Sequence, residues 1–215
     1  MSQVALPETV RKLLASQPIE LPIFHPVALK LQRMLSDYDF TVDEVAQVAN
    51  EDQSLASQML KMANSPMYMG RTKVATIKEA VIRLGAQQVI NIAIAASQAS
   101  AHASENPALN SYMQELWLHS HGAALGARWL AHNCGMRGIA DEIYLAALLH
   151  DVGKLYLVKA IERLVKAGVI SSMFDEDLIM EIFEAMHVEQ GYRLMQHWNF
   201  PSMYCDVIRD HHLEE

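Results

Sequence analysis

The chain has 215 residues, with 17 Lys and Arg against 25 Asp and Glu, so its formal net charge is −8 at pH 7. An acidic chain without a basic block argues against nucleic acid or a membrane as a main partner. The hydrophobic share of 51% and the charged share of 20% are typical of a folded globular protein rather than a disordered one. Two Cys against ten His exclude a disulfide framework and a Cys-rich zinc site, and favour a reducing, cytoplasmic setting.

The first half of the chain carries several signals for helix starts. Thr41 and Thr76 are each followed three residues later by Glu, which is the capping-box pattern. Apolar residues with a period of 3.6 follow both threonines and also Asp52. Gly85 is predicted to lie just after a helix end. The most apolar window, residues 89–101, is shorter than the ~20 residues that a membrane-spanning helix needs, and its first part fits either a strand or a buried helix.

The second half begins near Pro107 and is also predicted to be helical. A long helix should end before Gly135, and the next should begin near Asp141 and end around Gly153. Further helices are predicted over residues 155–167, 177–186, 187–198 and 202–211. The pattern predicts an all-α fold. Residues 97–107 are the expected boundary between two helical parts, 1–105 and 106–215.

The sharpest local signal for chemistry is the pair His150–Asp151 at the predicted end of an apolar helix. Adjacent side chains on a regular helix diverge by about 100°, so both can ligate one metal only where the backbone departs from helix geometry. Gly153 permits such a departure. An imidazole and a carboxylate together suit Fe²⁺, Mn²⁺ or Zn²⁺, and a carboxylate can also bridge two metals.

Four other residues are candidates for the same site. Glu115 and His119 are four apart and share a helix face, although Glu115 reads equally well as an ordinary solvated acid. His187 is predicted to open a helix, and His211 and His212 form a pair near the chain end. The remaining histidines are interpreted as incidental surface or core residues: His25, His102, His121, His132 and His197.

With these residues in these positions, the chain resembles the HDOD branch of the HD superfamily of metal-dependent phosphohydrolases. The spacing of His119 from His150–Asp151 is that of the HD pattern. Other motifs agree over about residues 21–212, nearly the whole chain. Two of them depart from the usual spacing or residue, since Pro26 is displaced by one position and Gln53 stands where Pro is common. The matching stretches are 21–27, 51–55, 62–68, 80–85, 116–120, 197–201 and 211–212.

The resemblance implies an N-terminal helical subdomain packed on an HD-like helical core in a bacterial signalling protein. By similarity to the HD-GYP phosphodiesterases, it implies a divalent metal (Fe, Mn, Zn, Mg or Ni) and a phosphate-contacting Lys154, with Asp151 and Lys154 as catalytic residues. A further Asp ligand and a Gly-Tyr-Pro element would follow the paired His, and neither is present before Glu215. We therefore expect either an incomplete site or a truncated chain. The implied metal ligands are Glu115, His119, His150, Asp151, His187, His211 and His212.

Two functions follow from the resemblance. The first is a metal-dependent phosphohydrolase acting on a nucleotide or cyclic dinucleotide, in which a metal activates water and Lys154 stabilises the phosphate. The second is a non-catalytic signalling module in which the same residues form a structural metal site or ligand pocket and bind a protein partner. The nearly complete ligand set favours the first, and the frequent loss of ligands in the family favours the second.

Overall fold

The computed structural model describes residues 24–36, 40–168 and 176–213, and within these ranges the chain is helical with no strand. The prediction of an all-α fold is confirmed. A short 3₁₀ helix spans Arg137–Ile139. The α-helices in chain order are α1 Pro26–Ser36, α2 Val42–Ala49, α3 Gln53–Ala63, α4 Ile77–Leu84, α5 Ala86–Ala101, α6 Pro107–Asn133, α7 Ala140–Leu149, α8 Val152–Lys166, α9 Glu176–His197 and α10 Ser202–Asp210.

Side-chain caps begin three of the N-terminal helices. The Thr41 hydroxyl accepts from the Glu44 N–H at 3.2 Å, and the Glu44 carboxylate accepts from the Thr41 N–H at 2.7 Å. Thr76 and Glu79 repeat this reciprocal arrangement at α4. Asp52 caps α3 by accepting two backbone N–H bonds. Both predicted capping boxes are confirmed, and each satisfies N–H groups that a helix start leaves unpaired.

Gly85 lies between α4 and α5 with φ of 81°, a backbone conformation that favours glycine. The two helices bend by 109° at this point. Residues 89–94, which fit a strand or a helix by pattern, are buried within α5. Among the described residues no single helix is long and apolar enough to cross a bilayer, and the α4–α5 pair meets that test only as a bent pair.

The helices form two packed groups that share contacts. α1 packs on α5 and α2 packs on α4, whereas α6 packs along α7 and α8 packs along α9. α5 also contacts α7, and the ring centroids of Phe24 and Trp198 lie 4.6 Å apart. The buried apolar residues therefore form one continuous cluster across both groups. The division into parts 1–105 and 106–215 stays a prediction.

Two predicted helix boundaries are wrong. The helix expected to end around Gly153 ends at Leu149, and α8 begins at Val152, so Gly153 lies in a first helical turn. The two helices expected over residues 177–186 and 187–198 are one helix, α9, so His187 is internal. No breaker separates Met186 from His187, and Ile182, Met186 and Met195 are buried along the continuous helix, which packs on α8.

Candidate metal centre

Five helices, α6 to α10, meet where the candidate side chains lie. His150 is the C-cap of α7 and Asp151 the N-cap of α8, so the two occupy the break between these helices. His211 is the C-cap of α10. His119 lies on α6 and His187 on α9. The departure from helix geometry expected at His150–Asp151 is therefore present, although the helix before it ends at Leu149 and not around Gly153.

Gly153 holds α8 against α9 at this point. A Cβ built on Gly153 would lie 1.9 Å from the carbonyl oxygen of His187 and 2.8 Å from the N atom of Gly191. Any side chain at position 153 would therefore force the two backbones apart. This close approach brings Asp151 beside His187.

The first group of ligand atoms joins α6 to the α7–α8 break. His119 Nε2 lies 3.1 Å from His150 Nε2. The Oδ2 atom of Asp151 lies 3.2 Å from His150 Nε2 and 3.5 Å from His119 Nε2. All three atoms lie within 4.8 Å of one another. This group is therefore compact enough to hold one ion.

The second group uses the other oxygen of the same carboxylate. Asp151 Oδ1 lies 3.5 Å from His211 Nε2 and 3.8 Å from His187 Nε2. His187 Nε2 in turn lies 2.9 Å from His212 Nε2 and 3.4 Å from His211 Nε2. These ligand atoms of Asp151, His187, His211 and His212 also lie within 4.8 Å of one another. Asp151 thus faces two adjacent groups of imidazoles, one with each oxygen.

Backbone carbonyls orient three of the rings. His150 Nδ1 lies 2.7 Å from the Ala147 oxygen, and His211 Nδ1 lies 2.8 Å from the Ile208 oxygen. His187 Nδ1 lies 2.5 Å from the Phe183 oxygen. Because a carbonyl only accepts, each Nδ1 must carry the proton, and the lone pair of the neutral ring is on Nε2. Metal-ligating histidines are commonly oriented in this way.

The arrangement fits a divalent cation. Nε2 lone pairs that face one another at 2.9–3.4 Å repel unless a proton or a cation lies between them. Asp151 is 2% exposed, and its Oδ1 makes no hydrogen bond to any described residue. A buried carboxylate oxygen without a donor carries a large desolvation cost, which a cation would offset.

The charges of the site favour an ionised Asp151. Burial alone would raise the pKa of this carboxyl, but the adjacent His150 ring, the His211 ring 3.5 Å from Oδ1 and the hydrogen bond from the Lys154 ammonium hold its pKa well below its usual range. The pKa of His150 is raised: burial opposes the charged ring, and the adjacent Asp151 carboxylate outweighs that effect. A metal at Nε2 of His150 would displace the proton there.

The other ligands that show a shift favour the neutral, metal-binding form. Burial lowers the pKa of His187. Burial and the neighbouring His211 lower the pKa of His212. A ring that stays neutral near pH 7 keeps its lone pair available, which is what coordination requires.

Two predicted residues need separate description. Lys154 Nζ lies 2.7 Å from Asp151 Oδ2, so the ammonium contacts the carboxylate that both groups share. Glu115 lies one turn before His119 on α6, is exposed, and belongs to neither group. Its role as a ligand stays a prediction. Gly153 was marked by the sequence only as a residue that permits a break in the helix, and Gly191, which also allows the close helix contact, had no signal in the sequence.

Histidines interpreted as incidental are absent from both groups within the described residues. His25 donates its backbone N–H to Ser97, and its ring lies 3.5 Å from Asp52. His102 is buried with Nδ1 2.6 Å from the Gln98 oxygen. His121 stacks on Trp117 with ring centroids 5.1 Å apart.

Comparisons with known proteins agree with the fold. An HDOD domain protein of unknown function from Geobacter sulfurreducens is 27% identical, with a TM-score of 0.65 over 99% of this chain and 71% of that one. A Shewanella amazonensis SB2B protein, provisionally named a metal-dependent phosphohydrolase, is 22% identical, with a TM-score of 0.75 over 97% of this chain and 74% of that one. A provisionally named signal transduction protein from Marinobacter aquaeolei VT8 is 25% identical, with a TM-score of 0.61 over 91% of this chain and 45% of that one.

A curated relative from Treponema pallidum (strain Nichols), described only as an uncharacterized protein, is 24% identical over 199 residues. The alignment covers 90% of this chain and 38% of the relative, so the chain spans well under half of that protein.

The opening motif at residues 21–23 and the end at residues 214–215 lie outside the described residues. Residues 21–214 match the sequence profile of the HDOD domain. The chain therefore belongs to the HDOD domain family.

Proposed function

We propose that this chain is a signalling HDOD domain that hydrolyses a phosphate ester of a nucleotide or cyclic dinucleotide with the help of one or two divalent metals. The observation that carries this proposal is the convergence of five imidazole Nε2 atoms on the two oxygens of one buried carboxylate, Asp151. The same proposal places the domain in the bacterial cytoplasm with a signalling protein as its partner.

The residues would divide into two ligand sets. His119, His150 and Asp151 Oδ2 would hold one ion, and Asp151 Oδ1 with the three histidines of the second group would hold the other. The donors are imidazole and carboxylate without a thiolate, which suits Fe, Mn or Zn. A metal bound there would lower the pKa of coordinated water towards neutrality and so supply a nucleophile.

Lys154 would stabilise the negative charge of the phosphate. Its ammonium is partly exposed while it contacts Asp151, so it lies between the buried carboxylate and solvent. A substrate phosphate next to the metal ligands would lie within reach of this ammonium, which could neutralise charge that develops during the reaction. The provisional names of the two structural relatives support both the phosphohydrolase chemistry and the signalling context.

A second candidate is a non-catalytic module, and the Lys154 contact favours it. At 2.7 Å from Asp151 Oδ2, the ammonium already supplies a positive charge to the oxygen that the first group of ligands would use. The site would then be a fixed ion-pair network, or a single-metal site in the second group, that serves protein recognition.

Metal analysis followed by activity assays separates the two functions. Protein purified without added metal should contain Fe, Mn or Zn, or take up Mn²⁺ on titration. His119→Asn should lose metal from the first group, whereas His132→Asn on the same helix is the matched control and should bind normally. Well-folded protein that neither contains nor takes up metal would contradict the proposal.

Activity then tests the chemistry. We expect hydrolysis of a generic phosphodiester or a cyclic dinucleotide by the wild type, with a loss of at least about 100-fold in Asp151→Asn. Lys154→Gln should retain metal and lose activity. Hydrolysis that survives Asp151→Asn cannot come from this site, and metal-loaded protein that is inactive on the whole panel would favour the module.

A further inference from the structure

The long helix α6 exposes an apolar face along its second half. Leu118, Leu125 and Trp129 follow one another at helical spacing, with Gly122 and Gly126 between them, so all five lie on one side of α6. Large apolar side chains on this side and in the turn that follows are between 51% and 69% exposed. These residues, which with the two glycines form the α6 face, are Leu118, Leu125, Trp129, Leu130, Met136 and Ile139.

The α6 face lacks acidic residues in a strongly acidic chain. From Leu118 to Ile139 the sequence contains no acidic residue and two basic ones, the exposed Arg137 and the half-buried Arg128. The Arg128 guanidinium is largely buried and paired, 3.1 Å from Asp141 and 2.6 Å from the Tyr68 hydroxyl. Two copies of a chain with a net charge of −8 repel each other in general, so a face without carboxylates is where they can approach.

Packing among the described residues does not explain the two glycines of the face. A Cβ on Gly122 or Gly126 would meet no described atom within 4 Å, whereas a Cβ on Gly153 would overlap a neighbouring helix. Glycine in the interior of a helix is unfavourable relative to alanine. A second backbone that approaches α6 closely at these positions supplies the missing reason.

The size of the α6 face matches what a dimer requires. With fully exposed areas of roughly 200 Å² for Leu, Ile or Met and about 250 Å² for Trp, the exposed fractions correspond to about 700 Å² of mostly apolar surface. The largest apolar patch on an ordinary monomer is about 300–600 Å². A standard interface buries about 800 Å² on each partner, and polar atoms at the rim supply the difference.

We propose that the α6 face is a symmetric interface between two copies of this chain. In such an interface the same surface is used twice, so it must be self-complementary. The shallow groove over Gly122 and Gly126 lies between Leu118 and Trp129. These large side chains of one copy can therefore pack into the glycine groove of the other, as ridges fit into grooves in helix pairs.

Sedimentation velocity on the full chain tests this proposal. At a loading concentration of roughly 100 µM, the wild type should sediment as a dimer with twice the 24.1 kDa mass of one chain. Leu125→Glu and Trp129→Glu should each raise the dimer Kd by about 100-fold or more, because symmetry buries the new charge twice. Ile82→Glu, on an equally exposed position of α4, is the matched control and should leave the dimer intact.

Glycine substitutions distinguish an interface from a loss of folding. Gly122→Ala and Gly126→Ala should raise the Tm of the monomer by a few degrees, since alanine favours the helix and meets no obstacle. The same variants should weaken the dimer, since the added methyl keeps the second backbone away. A monomeric wild type, or a dimer that survives both glutamate variants, would overturn the proposal.

Discussion

Replacing Gly153 with Ala tests how the candidate metal centre is assembled. The added Cβ would lie 1.9 Å from the carbonyl oxygen of His187 and 2.8 Å from the carbonyl carbon of the same residue. Both obstacles are backbone atoms, so no side-chain rotation can relieve the overlap. α8 and α9 must separate by about 1 Å or more to restore ordinary van der Waals contact.

The expected cost exceeds that of an ordinary overpacked residue. Inserting a methyl group into a packed core costs about 1–3 kcal/mol, and here the opposing atoms belong to a long helix that packs along its length. Alanine recovers up to about 1 kcal/mol through its better helix propensity. We therefore place the gross cost of this backbone overlap at about 3–5 kcal/mol, so the net loss is about 2–4 kcal/mol, which corresponds to a fall in Tm of roughly 5–15 °C for a chain of this length.

Thermal unfolding and metal titration of the variant together check the reasoning. Gly138→Ala is the control, since a Cβ at Gly138 meets no described atom within 4 Å. Because the separation moves His187 away from Asp151, the variant should also bind Mn²⁺ at least about tenfold more weakly than the wild type. A Gly153→Ala protein with wild-type Tm would show that the α8–α9 contact is not as close as described.

Three further predictions concern local structure and pH. Asn64→Ala should cost about 2–3 kcal/mol of unfolding free energy in denaturant titrations, because the Asn64 amide makes 2.9 Å hydrogen bonds to both the N–H and the oxygen of buried Val74. Thr76→Ala should cost about 1 kcal/mol through loss of the α4 cap, with Thr72→Ala, in the exposed loop before α4, as its control. Burial lowers the pKa of His102, so below about pH 6.5 the unfolded chain binds a proton that the folded chain excludes. The free energy of unfolding should therefore decrease as the pH is lowered through this range. His102→Gln should reduce that fall between about pH 7.5 and 5.5, and an unchanged pH slope would refute this role.

The helix starts were predictable because their causes are local. A capping box joins residues that are three apart, so the residues from Thr41 to Glu44 and from Thr76 to Glu79 are enough to predict where α2 and α4 begin. The boundaries at Gly153 and His187 were wrong for the opposite reason. Glycine is required at position 153 because the backbone of His187, 34 positions away in sequence, lies against it. The local sequence around such a glycine resembles that around a glycine that ends a helix, so the two cases cannot be told apart from the pattern.

The ligand set divides in the same way. The pair His150–Asp151 was visible from the helix pattern, because two adjacent ligands require a break in the helix. The participation of His187, His211 and His212 rested on family resemblance, because their meeting depends on how α9 and α10 pack. The sequence indicated that a carboxylate such as Asp151 can bridge two metals. It could not predict that each oxygen of Asp151 faces a different group of histidines, because the sequence does not orient the side chain.

One local rule does connect the helix ends to the chemistry of the site. His150 and His211 are the C-caps of α7 and α10, and each donates Nδ1–H to the carbonyl three residues earlier, Ala147 and Ile208. Those carbonyls belong to the last turn of their helices, where the backbone leaves acceptors unpaired. A histidine at such a position satisfies the helix end and, by the same bond, turns its Nε2 lone pair away from the helix. Because both C-terminal ends carry partial negative charge and lie next to Asp151, the helices also favour a cation between them, each by about 0.3–1 kcal/mol.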